Sequence, residues 1–254
     1  PAGRPVSGGA ITVSPVSGSA ITVNMKGTFG DGFEWGASEN DETLYIAGNG
    51  KMYNFDDASD KVPRADKNAW HLNVVVEGNV TSIGDYAFKE FYNSDTFVLP
   101  DTVTRIGNYS FFDCAAMKTF DFSNITSIGT KAFAKNKFES LYIPKTLTDI
   151  AMEAFSEAYS LTEIVVEDGN PNYFTDAMGA LFETESKTMM VYPKAKSYVG
   201  SYTIPEGIEK MESGVFEGVA VGTVVFPSTM SYVDSGSCRN NSFTSLTIPN
   251  TVTG

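Results

Sequence analysis

Histidine and cysteine are nearly missing from this chain of 254 residues, which has one His, His71, and two cysteines, Cys114 and Cys238. A lone His without matched Cys/His spacing supplies neither a zinc site nor a Ser-His-Asp triad. Also missing are a Gly-x-Ser-x-Gly elbow, a His-Glu-x-x-His pair, a P-loop and a dinucleotide fingerprint. The residues therefore point to no enzyme and no cofactor. No metal site is expected either. The acidic run at Asp56, Asp57 and Asp60 lacks the alternating ligands of an EF-hand loop. Asp168-Gly-Asn-Pro-Asn172 reads as a plain turn in preference to a Ca²⁺ loop. Basic residues are scarce, 18 against 31 acidic ones, and the resulting charge of −13 argues against nucleic acid and anionic membranes as partners. No apolar run reaches transmembrane length, so no membrane insertion is expected of this stretch.

What the chain does contain is a beat. Ile-Gly-x-x-Ala-Phe or a near copy begins at Ile83, Ile106, Ile128 and Ile150, in steps of 23, 22 and 22 residues. The closing aromatics Phe88, Phe111, Phe133 and Phe155 keep the same rhythm, and degraded copies follow at Met211 and Val233. In the second copy the apolar residues after Phe111 are Cys114, Met117, Phe120 and Phe122. The last two alternate as a strand with one buried face does, whereas Ala-Phe sits in a tighter spacing. One coil is thus a short strand, a corner and a compact helical or turn segment. A period of this length, repeated six times, predicts a β-rich repeat solenoid of the leucine-rich-repeat type.

Each column has a physical reading. Gly84, Gly107 and Gly129 are expected where the chain turns sharply with positive φ. Small Ala87, Ser110, Ala132 and Ala154 admit the neighbouring coil, and the Phe column stacks as a spine. Pro100, Pro144, Pro205, Pro227 and Pro249 end strands, having no N–H for a ladder. Asn136 and Asn241 share a column and are expected to bond backbone groups at a corner. The two cysteines lie several coils apart, about 20 Å or more at an inter-strand spacing of about 4.8 Å, so no bridge can join them.

These residues resemble the BspA-like bacterial surface leucine-rich-repeat family. The resemblance is carried by "TSIGDYAFKEF…FVLPDTV" and "TSIGTKAFAKN…LYIPKTL", by the preceding "GTFGDGFEW" and "LYIAGNGKMYNF", and by the interruption from Asn170 onward. It covers about residues 27–254. Glu212 and Asp234 depart from the Gly column and Cys238 from the Phe column, which suggests less regular packing of the last coils.

Along the chain, residues 1–26 hold a small duplication ending twice in Ala-Ile-Thr-Val and read as a linker or an edge strand on the cap. Residues 27–72 read as an N-terminal β-hairpin cap, with Gly48-Asn49-Gly50 as a turn and Trp35 and Trp70 covering the first coil. Residues 73–254 form the solenoid, broken by an irregular insertion at 167–201 that contains a hairpin around Glu183–Thr188. The chain opens on Pro1 and stops at Gly254 within a repeat, so the expectation is a processed piece of something longer.

The surface that the beat leaves free is the outward side of the longer strands. Thr119, Asp121, Tyr142, Glu163 and Thr247 are the candidate binding residues there, with Tyr142 the best single contact. The resemblance implies a non-enzymatic, secreted or cell-surface bacterial binding protein, an adhesin for host or matrix proteins or other microbes. Its partner would be a protein or glycan ligand on a host or microbial surface; oligomeric state is left open. Two alternatives stand beside it: a stalk that spaces a further C-terminal region, and a glycan-binding or hydrolytic role at the insertion.

Overall fold

A computed structural model describes residues 12–13, 21–22, 25–30, 32–38, 42–56, 73–196, 200–241 and 243–253. Trp70 and His71 lie outside the described residues. The chain is a β-solenoid of about seven turns, and among the described residues there is no helix. The Ala-Phe segment is a run of turns, and its hydrogen bonds explain why. Every second N–H closes a turn within its own coil, as Ala87 does to the Gly84 carbonyl and Lys89 to that of Tyr86. The N–H groups between reach the next coil: Phe88 to Ser110, Phe111 to Ala132 and Phe133 to Ala154, at 2.7–2.9 Å. A helix would spend all of these donors internally and leave the coils unjoined.

Along this run every fourth residue lies in the left-handed region. They are Tyr86, Tyr109, Lys131 and Glu153 in one column and Glu90, Asp113, Lys135 and Glu157 in another, all with φ between +52° and +63°. Gly84, Gly107 and Gly129, expected to supply positive φ, do not have it. Their role is close approach. A Cβ on Gly84 would lie 1.9 Å from the Tyr53 carbonyl oxygen, and one on Gly107 would lie 2.6 Å from the Asp85 nitrogen.

Two rows of parallel strands result. The short row joins Ile83 to Ile106, Ile106 to Ile128 and Ile128 to Ile150 in register. The long row forms three blocks. Thr96–Val98 pairs with Asn73–Ile83, Ser140–Ile143 pairs with Glu163–Val166, and Ser201–Thr203, Thr223–Val225 and Ser245–Thr247 pair in that order. Each Pro after a long strand accepts a turn bond three residues on, as Pro144 does from Leu147 at 3.1 Å. The spine is present: Phe88, Phe111, Phe133 and Phe155 stack with centroids 5.1–5.8 Å apart. Asn136 Nδ2 donates to the Phe111 carbonyl, and Asn241 Oδ1 accepts from the Val219 N–H.

The cap is an antiparallel meander of Met25–Phe29, Phe33–Ser38 and Thr43–Lys51, the last pairing in parallel with Asn73–Ile83. Gly48-Asn49-Gly50 is not a turn but the end of that nine-residue strand. Gly48 is required there because the Phe33 ring lies 2.3 Å from where its Cβ would be. Trp35 is buried. The two halves of the N-terminal duplication pair with each other, Thr12–Val13 against Ile21–Thr22, in a ladder separate from the cap sheet.

Past Ile150 the beat breaks. Tyr173–Thr175, Leu181–Glu183 and Thr188–Val191 form an antiparallel sheet, and Thr188 and Met189 then pair in parallel with Lys210 and Met211. Met189 therefore stands one repeat length, 22 residues, before Met211. The hairpin acts as a partition. Leu181, Met190 and Val191 belong to the core that begins at Phe29, whereas Ala180, Phe182, Met189 and Tyr192 belong to the core that ends at Met230. Alternation sends Leu181 and Phe182 to opposite faces, and the β-bulge that adds Met190 opposite them puts Met189 and Val191 on opposite faces too, so one hairpin closes both cores.

Candidate functional site

The outward side of the long row is where the candidate residues fall, and all five are exposed. Register places Tyr142 beside Val165 and Ser140 beside Glu163 on two paired strands. Thr119 and Asp121 are not on a strand: residues 117–122 make no ladder, and the long row is interrupted there. The reason is local. Asp121 Oδ1 accepts the Ser123 N–H at 2.9 Å, which bends the backbone out of the extended form. The Ser123 hydroxyl and N–H together hold the Asp121 carboxyl below its ordinary value. Thr247 lies on the last strand of another block, where the inner-face residue Leu246 is 37 % exposed against 2 % for its equivalent Leu141. The structure thus brings Tyr142 and Glu163 to paired strands, while Thr119 and Asp121 lie on the unpaired stretch of the preceding coil and Thr247 in another block.

Tyr142 is the best-built element of that patch. Its ring is 52 % exposed. Partial desolvation, together with the charge and hydrogen bonding of Glu167, raises its phenol above the ordinary value. Glu167 is itself fixed: its Oε2 accepts the Lys145 N–H at 2.9 Å, and the Lys145 ammonium lies 3.3 Å from its other oxygen. These contacts, the backbone bond foremost, lower the Glu167 carboxyl. Glu167, whose charge acts on the Tyr142 phenol, belongs to the next coil, which is why no local signal in the sequence announces it.

The same face carries further apolar side chains at matching strand positions. Val98, Val165 and Val225 are 50 %, 41 % and 43 % exposed. Thr and Val suit an exposed sheet face by propensity alone, but an exposed aromatic among them has the character of a contact residue. Among the described residues no group of His, Cys, Asp and Glu could hold a metal ion, and no helix is long and apolar enough to cross a membrane. Cys114 is buried with its Sγ 3.2 Å from the Phe88 carbonyl oxygen, Cys238 is half-buried, and both are free thiols.

Comparison with known proteins agrees with the geometry. Residues 70–185 and 192–254 match the BspA type leucine rich repeat region, in six copies. No curated protein matches the chain. Among solved structures, a leucine-rich repeat protein from Eubacterium ventriosum is 22% identical with a TM-score of 0.70, the match covering 88% of this chain and 66% of that one. The pneumococcal vaccine antigen PcpA is 15% identical with a TM-score of 0.64, over 88% of this chain and 70% of the antigen. A leucine rich cell surface protein from Faecalibacterium prausnitzii is 15% identical with a TM-score of 0.51, over 88% of this chain and 76% of its own. At these identities the likeness to solved structures is one of fold. The chain spans less than two thirds of the length of the Eubacterium protein.

Proposed function

Since the chain belongs to the BspA-type leucine-rich-repeat family, we propose that it is a surface-displayed bacterial protein that adheres to a protein ligand outside the cell through the long-strand face. Leucine-rich repeats of this family are in general protein-binding scaffolds without catalysis of their own, and the solenoid fits that role. The observation that carries the reading is the exposed Tyr142 beside the exposed Val165 on paired strands. A rigid aromatic contributes contact area with little entropy left to lose on binding. Thr119, Asp121, Glu163 and Thr247 contribute the polar surround, spread along the solenoid so that contact is made at many weak points. Surface display is supported by the Faecalibacterium neighbour, which is described as a cell surface protein.

The test is a binding panel of host-matrix proteins and microbial surface proteins against the whole chain, followed by Tyr142→Ala on any partner found. The expected loss on that substitution is about 30-fold, the size of an interface hot spot. Silence across the panel would leave the stalk reading in its place. Full binding by Tyr142→Ala would move the contact off this face.

A further inference from the structure

On the short-strand side, a groove of about 560 Å³ crosses the cap strand and the first four coils. Strand register builds one of its walls. Lys51 stands beside Ser82, Ser82 beside Arg105, Arg105 beside Ser127, and Ser127 beside Asp149. The opposite wall is a rail of side chains locked to backbone. Asn54 accepts the Asp85 N–H at 3.0 Å, Asp85 accepts the Asn108 N–H at 2.7 Å, and Asn108 accepts the Thr130 N–H at 2.9 Å. Gly107, Gly129 and Ala151 also line the groove, and the rail residues Asp85 and Asn108 occupy the space that side chains on Gly107 and Gly129 would take.

We propose that this groove binds a neutral oligosaccharide, a chain of linked hexose rings seated on successive coils. The inference goes beyond the adhesive face and does not rest on it. Charge is the first reason. In a protein of net charge −13, the groove sets Lys51 and Arg105 against Asp85 and Asp149, so neither a polyanion nor a polycation is favoured along its length. The second is hydrogen bonding. The walls mix donors and acceptors, which suits hydroxyls that do both. Among the described residues, no hydrogen bond or ion pair engages the Lys51, Arg105 or Asp149 side chains, and they remain available to a ligand. The Asx rail is already fixed and loses little freedom on binding.

The backbone argues against an extended peptide as the occupant. Gly107, Gly129 and Ala151 already donate their N–H groups to Ile83, Ile106 and Ile128 at 2.9–3.0 Å. A peptide would find no free ladder to join. The walls repeat at the inter-strand spacing of about 4.8 Å, so a ligand with a repeating unit of similar length meets one wall residue and one rail residue at each coil.

The test is calorimetric titration of the whole chain with cellotetraose, chitotetraose and mannotetraose. Glucose, a heparin-derived tetrasaccharide and an extended polar peptide serve as comparators. The expected result is that a neutral tetrasaccharide binds at least about tenfold more tightly than its monosaccharide, with affinity unchanged between about 0.1 M and about 1 M salt. Ser127→Trp, which fills the groove, and Arg105→Ala, which removes an exposed unpaired head, should each weaken binding more than about tenfold, while Tyr142→Ala leaves it intact. Arg105→Ala decides the matter if Ser127→Trp does not fold. No binding by any neutral tetrasaccharide, salt-sensitive binding of the heparin fragment or peptide alone, or undiminished binding by both groove variants would each overturn the proposal.

Discussion

In the coils that begin at Ile83, Ile106, Ile128 and Ile150, the left-handed positions are held by Tyr, Lys, Glu and Asp. In those that begin at Met211 and Val233 the same columns carry Gly214, Gly218, Gly236 and Asn240, also with positive φ. The path is common and the residues differ. It is therefore set by the N–H groups that link coil to coil, whose bonds outweigh a left-handed cost of about 1–2 kcal/mol per non-glycine residue. The junction between the two regions makes the same point from the other side. Where the hairpin interrupts the turn face, side chains replace the missing peptide groups. Glu212 Oε2 accepts the Glu153 N–H at 2.8 Å, and buried Lys194 donates to the carbonyls of Glu217, at 3.1 Å, and Gly214. Burial pushes the Lys194 ammonium down to about 8.

The largest effect expected at this junction is a pH dependence. Burial, reinforced by Glu153, Glu183 and Asp234 nearby, raises the Glu212 carboxyl from 4.5 to about 8. The folded chain thus holds a proton that the unfolded chain releases. Below about 4.5 both states are protonated and this group is neutral in effect. As pH rises towards about 8, the stability it allows is lost, and beyond that the loss is complete. At about 1.4 kcal/mol per unit the total amounts to several kcal/mol. Glu212→Gln keeps an oxygen for the Glu153 N–H and carries no proton to lose. Urea denaturation should show the variant equal to the parent at acid pH and clearly more stable above pH 8. Parallel pH profiles would remove Glu212 from the account of the junction.

A smaller effect separates the two regions at the Gly column. Gly84→Ala puts a methyl 1.9 Å from the Tyr53 carbonyl oxygen, which is backbone and cannot swing aside. A loss of about 3 kcal/mol is expected, at the upper end of overpacking. By the fourth coil the column already holds Ala151, and Glu212 and Asp234 occupy it after the hairpin. Ala151→Gly should therefore cost about 1 kcal/mol or less, the entropy of the glycine alone. Thermal unfolding of the pair measures how far the coils open towards the hairpin. Equal losses would show that they do not.

The periodic part of this molecule is legible because core chemistry repeats one residue type per column: the Phe spine, the prolines that follow most long strands and the Asn corners all lie where their spacing puts them. What was not legible is backbone geometry carried by ordinary residues. Nothing about Tyr86, Lys131 or Glu153 announces a left-handed residue, so the sequence points to the neighbouring glycines, whose real constraint is a coil some 22 residues away. Gly48-Asn49-Gly50 failed as a turn for the same reason, since Gly48 answers to the Phe33 ring. At the candidate site, alternation shows Tyr142 as an outward aromatic, whereas the Glu167 charge that acts on its phenol belongs to the next coil. Asp121 was read as a strand residue because the bend it makes with Ser123 competes with an otherwise good alternation.

The smallest effect tests the comparison most directly, because it exchanges the two regions' solutions. Asp113 has φ of +57° and Gly218 has +69° in the same column of different coils. Asp113→Gly relieves a left-handed strain of about 1–2 kcal/mol but adds about 0.5–1 kcal/mol of chain entropy to lose, so a net gain of up to about 1 kcal/mol is expected. Gly218→Ala runs the other way and should cost about 1 kcal/mol, since an alanine must take up the left-handed conformation with nothing to offset it. The inter-coil bonds of this column, Asp113 N–H to the Ala134 carbonyl at 2.9 Å and Gly218 N–H to that of Arg239 at 3.1 Å, involve backbone alone and survive either change. Chemical denaturation of both variants against the parent should give shifts of opposite sign. Shifts of the same sign would mean that the side chain, through its contacts, and not the backbone conformation sets stability at this column.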